Sequence, residues 1–113
     1  RRAAKTAEAP RGRMDTRGWG FTLARYRTPA ARRAAKQYFR LARDNKLDPV
    51  DLALRFPAGR DAVTTSLVGH TSLAQLDASL AAFKRAAKAD LPPSLRWDID
   101  RVHLQNRLPL FAL

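Results

Sequence analysis

The chain contains no cysteine among its 113 residues. That excludes disulfides, thiolate zinc sites and cysteine nucleophiles, and it fits a reducing compartment. No apolar run approaches the roughly 18 residues of a membrane span, so no membrane partner is expected. There are only 5 glycines, none in a phosphate-binding glycine-rich loop. No nucleophile triad or metal-ligand spacing is present, and no internal repeat. Acidic side chains are scarce, 10 against 22 Lys and Arg. The shortage is local. Residues 1–43 hold 13 Lys and Arg but only Glu8 and Asp15, a net +11, whereas residues 44–113 carry +1.

What is present is a chain with 45% hydrophobic residues, enough for one modest domain and too many for a disordered chain. The cationic excess points to a polyanion, most often nucleic acid, with a solvated surface as the plain alternative. The residues expected to carry it are Arg1, Arg2, Lys5, Arg11, Arg13, Arg17, Arg25, Arg27, Arg32, Arg33 and Lys36. Arginine dominates, and its planar fork suits phosphate. Arg1–Gly18 has no hydrophobic period and reads as an extended basic arm that orders on a partner. The basic, acid-poor start RRAAKTAEAPRGR fits either the remainder of a cleaved organellar transit peptide or a truncation boundary.

Trp19–Tyr26 is ambiguous and could form a short strand. Thr28-Pro29 is a helix start, a hydroxyl cap followed by proline at the first helical position. This helix is expected to run to about Asn45, burying Ala31, Ala35, Tyr38 and Ala42, with Ala34 and Leu41 widening that face. Asp48-Pro49 repeats the signal, with Val50, Ala53 and Leu54 inward and Pro57 and Gly59 as stops. Val63–Val68 is short, β-branched and bounded by turn residues, so it reads as a buried strand. Ser72 and Gln75 fit a capping box. Leu73, Leu76, Leu80, Phe83 and Ala87 then form an apolar line on the next helix. Ser94 is expected to cap a last helix carrying Leu95, Ile99 and Val102, with His103 favourable to its C-terminal dipole. The apolar tail ends in LPLFAL, Leu108–Leu113.

A lone strand cannot satisfy its own N–H and C=O groups. The expectation is therefore an α/β fold whose other strands lie outside this chain. LARDNKLDPVDLALRF, then VTTSLVGHTSLAQLDASL, then IDRVH resemble the C-terminal part of an aldo/keto reductase, in order and spacing. The likeness runs from Tyr38 onward, with a weaker echo in GWGFTLARY. It implies a partial (β/α)8-barrel segment, mostly helical with one clear strand, behind an extended basic N-terminal arm. Residues 1–27 would be arm and loop, and residues 28–113 the reductase-like segment. Val63–Val68 would be the eighth strand and Ser72–Lys88 the eighth helix.

In that family the turn after the eighth strand holds the adenosine and 2′-phosphate end of NADPH. The resemblance carries Gly69, Thr71, Ser72 and Gln75 over as cofactor-binding residues, with NADP expected if the barrel is complete. His70 stands where the family has a small residue, and Ala78 and Ser79 replace its Glu-Asn pair. The family's catalytic Asp, Tyr, Lys and His lie on earlier strands with no counterpart here, so no residue is expected to be catalytic. Two functions follow. One is a non-catalytic reductase-like subunit of a large ribonucleoprotein, such as an organellar (mitochondrial) ribosome. It would bind RNA through residues 1–43 and protein through 63–68 and 108–113. The other is the C-terminal part of an NADPH-dependent reductase of carbonyl substrates.

Overall fold

A computed structural model describes residues 23–107. The arm Arg1–Gly18 and the tail 108–113 lie outside the described residues. A short 3-10 helix, Ala24–Arg27, leads into four helices: α1 Pro29–Asp44, α2 Pro49–Ala58, α3 Leu73–Lys88 and α4 Pro93–Gln105. The 3-10 turn falls within the segment read as a possible strand and loop.

Local chemistry explains the helix boundaries. Thr28 Oγ1 accepts from Ala31 N at 3.1 Å, and Asp48 Oδ1 from Val50 N at 2.8 Å. Each side chain satisfies an N–H that the first helical turn leaves open, and a proline follows each cap. α1 ends in a Schellman turn. Leu47 N donates to Ala42 O at 2.9 Å and Lys46 N to Arg43 O at 3.0 Å. Lys46 occupies the left-handed region that this turn demands, with φ 56. A Cβ is disfavoured there. Lys46→Gly is expected to stabilise the chain by about 1 kcal/mol, read as a rise in the urea midpoint at unchanged slope.

That turn folds α2 back on α1, and α4 closes over both. The core is Ala42, Leu52, Leu91, Leu95 and Ile99, packed about by Tyr38, Leu41, Leu47 and Phe56. The middle of α1 is tied to the C-terminal end of α4 by amides: Asn106 Nδ2 donates to Gln37 Oε1 at 2.6 Å and Gln37 Nε2 to Gln105 Oε1 at 3.2 Å. α3 packs on α2 through a buried carboxylate. Asp51 pairs with Arg85 at 3.0 Å and with Arg55 at 3.6 Å.

Several expectations need correction. Val63–Val68 is not a strand: no strand exists among the described residues. The segment lacks ladder partners, and Leu67 is 95% exposed. The apolar line on α3 is outward, with Leu73, Leu76 and Leu80 exposed, while Ser79 and Ala82 are buried. Nothing in the described chain covers that face. On α2 the inward residues are Asp51 and Leu52, and Val50 and Ala53 are exposed. On α1, Ala30 and Ala34 are buried with Ala42, while Ala35 is exposed. α2 continues through Pro57 to Ala58, and Gly59 is its C-cap. A Cβ on Gly59 would overlap the Asp90 carboxylate. Ser94 is not a cap; Pro92 is the N-cap of α4 and makes no side-chain capping bond.

Candidate functional site

The turn Gly69–Ser72 and the start of α3 bring Thr71, Ser72 and Gln75 together. Ser72 Oγ accepts from Gln75 N at 3.3 Å. Gln75 Oε1 accepts from Thr71 N at 2.8 Å and from the Thr71 hydroxyl at 3.2 Å. The reciprocal half of the cap thus reaches one residue before the capping position. Among the described residues, the amides of Leu73 and Ala74 remain without acceptors. An exposed helix N-terminus with two hydroxyls beside it fits a phosphate monoester, through its N–H groups and its dipole.

The two departures from the reductase pattern meet each other. His70 Nε2 and the Ser79 hydroxyl share a hydrogen bond of 2.9 Å. Ser79 is buried, so the bond pins the turn onto the second turn of α3. The imidazole and the short hydroxyl occupy the side of the turn where the resemblance would put an amide against adenine. The phosphate end fits the residues present; the adenine end does not keep the family's groups.

A second concavity lies between α1, α2 and α4, an open groove of about 510 Å³ with Tyr38, Phe39, Leu52, Phe56 and Ile99 on its walls. Asp100 and His103 stand at its polar edge. Arg60 bonds both Asp100 oxygens at 3.1 Å and lies 4.3 Å over the Phe56 ring. Burial pushes the Tyr38 phenol pKa above its ordinary value, and the Asp100 carboxylate adds to the rise. His103 sits in the last turn of α4, as expected from its dipole role.

Of the expected nucleic-acid-binding residues, Arg1, Arg2, Lys5, Arg11, Arg13 and Arg17 lie outside the described residues. Arg25, Arg27, Arg32, Arg33 and Lys36 are exposed. Arg25 stacks over Tyr26 at 4.9 Å. No group of His, Cys, Asp or Glu among the described residues could hold a metal ion, and no described helix is long and apolar enough to cross a membrane.

Sequence reasoning missed the Asp51–Arg85 bridge, the His70–Ser79 bond and the exposure of Phe39. No periodicity signals the first two, because each joins side chains across a turn or between helices.

No curated protein and no solved structure matches the chain significantly. The pattern of the aldo/keto reductase family matches residues 2–91. That span takes in the basic segment before α1 as well as the turn and α3, and it stops at Leu91, before α4. The chain belongs to the aldo/keto reductase family.

Proposed function

We propose that this chain supplies the cofactor-side end of an NADPH-dependent aldo/keto reductase, with the turn Gly69–Gln75 contacting the 2′-phosphate. The observation that carries this is the exposed cap at the start of α3. There Thr71 and Ser72 flank the open amides of Leu73 and Ala74, inside the span matched by the family. The bound dinucleotide would supply the hydride. This chain's residues would hold and orient the phosphate end. No proton donor for carbonyl reduction is proposed on it, so it is expected to reduce no carbonyl compound by itself.

The test is a titration of the whole chain with 2′,5′-ADP, AMP and NADH, followed by amide NMR. The 2′-phosphate ligand should shift the Thr71–Gln75 signals, and AMP and NADH should not. Equal shifts from 2′,5′-ADP and AMP would defeat the reading. Replacing the His70–Ser79 pair by the combination His70→Ala and Ser79→Asn is expected to tighten NADPH binding about five-fold. One added hydrogen bond is worth roughly 1 kcal/mol. No gain in the titration would show that this side of the turn does not face the cofactor.

A second reading, a non-catalytic RNA-binding structural subunit, is favoured by one observation. Arg32, Arg33 and Lys36 are all exposed on α1.

A further inference from the structure

We infer that the outer face of α1 is a binding surface for single-stranded nucleic acid, with Phe39 as the platform on which a base stacks. This deepens the RNA-binding reading and is independent of the cofactor reading.

The argument begins with helix geometry. At 3.6 residues per turn, Arg32, Arg33, Lys36, Phe39, Arg40 and Arg43 fall within one arc of about 120°. All six are exposed. The opposite side buries Ala30, Ala34 and Ala42 against the rest of the fold. The outer face is therefore fixed and is not available to the core. From Arg32 to Arg43 it runs about 17 Å at 1.5 Å per residue.

Most of the charges on it are uncompensated. Among the described residues, Arg32, Arg33, Lys36 and Arg40 make no ion pair. Arg43 pairs only with its neighbour Asp44 at 3.3 Å, and both are largely exposed. Such a row of free cations attracts a polyanion and gains by releasing its counterions.

Phe39 decides the kind of polyanion. It is 59% exposed, in the middle of the cationic arc. Lys36, Phe39, Arg40 and Arg43 together wall a shallow open recess that continues to Leu47, Pro49 and Asp48, whose carboxylate is engaged in capping α2. An aromatic ring set among phosphate-binding side chains is the arrangement that holds an unstacked base while its backbone is neutralised. A duplex keeps its bases stacked and offers the ring nothing. A membrane surface would call for a wide apolar face beside the cations. The alanine face of α1 is turned inward, leaving Phe39 as the large apolar side chain within the arc; the apolar groove that it also borders is a concavity between α1, α2 and α4, not a flat face.

The test uses the full chain and fluorescein-labelled oligouridylate, read by anisotropy over a series of KCl concentrations. Duplex RNA of the same length and vesicles of phosphatidylserine and phosphatidylcholine serve as competitors. Binding to the single strand should weaken linearly with the logarithm of salt. Lys36→Gln with Arg40→Gln should flatten that slope by about 0.7 per cation removed. Phe39→Ala should weaken binding about ten-fold at unchanged slope, and Phe39→Trp should restore it. Because Phe39 is exposed, helix content by circular dichroism should stay constant in every variant. Equal binding by the Phe39→Ala chain would overturn the inference. So would stronger competition by duplex or vesicles than by unlabelled single strand.

Discussion

Replacing Asp51 with alanine is expected to cost the chain about 3–5 kcal/mol of stability, the range for breaking a buried ion pair from one side. Asp51 is 5% exposed and lies between two arginines of unequal standing. The Arg85 side chain is 50% exposed, so water can take over its charge. The Arg55 side chain is 12% exposed. Its Nε is already buried without a partner, and its Nη2 donates to Ala89 O at 3.0 Å. Without Asp51, the Arg55 charge is left in a poorly hydrated place. Against a total of 5–15 kcal/mol for a typical domain, roughly 3–5 kcal/mol is a large fraction. Urea denaturation monitored by circular dichroism checks it. Arg85→Ala should cost well under half as much, since solvent already screens that partner. Equal losses in the two variants would mean that the carboxylate acts chiefly by bridging the helices rather than by compensating Arg55.

Leu95→Ala is expected to cost about 2–5 kcal/mol, because a buried leucine loses its transfer energy and leaves a cavity. Leu95 is 2% exposed and sits where α4 meets Ala42 and Leu52 of the other helices. The informative comparison is Leu80→Ala on α3. Leu80 belongs to the most regular apolar line in the sequence, yet it is 48% exposed. That change should fall within about 0.5 kcal/mol of neutral, as exposed substitutions do. A Leu80→Ala loss comparable to that of Leu95→Ala would place the α3 face in a core.

The contrast between these two leucines shows what the sequence reveals and what it conceals. Three of the four expected caps were readable, Ser94 being the exception, because a cap is settled within four residues. Thr28-Pro29, Asp48-Pro49 and Ser72 with Gln75 each name the N–H they satisfy. Which face turns inward is settled by distant segments, and periodicity carries no label for it. Leu52 and Asp51 went inward where Val50 and Ala53 were expected, because α3 brings Arg85 to one side of α2 and α4 brings Leu95 to the other. Val63–Val68 has strand composition, but composition supplies no second strand. Within the site, the turn and cap were legible as a motif. The His70–Ser79 bond was not, since the two residues stand nine apart across the start of a helix. Phe39 escaped notice because an aromatic residue on an amphipathic helix is usually core.

The stretch between α2 and α3, whose backbone has no ladder partner among the described residues, has a bearing on the order in which structure is acquired. The contacts that close the core join α1 to α2 across a short turn and α4 back onto both. None of them involves residues 63–68. The α1–α2 contacts are local and form quickly, because little loop entropy stands in their way, whereas α4 returns from far along the chain, Asn106 meeting Gln37, and closes later. The helices can therefore settle while the backbone of 64–68 still bonds to water. If strands from elsewhere pair with it, they do so on a platform that is already folded. Pairing would then be a late docking event.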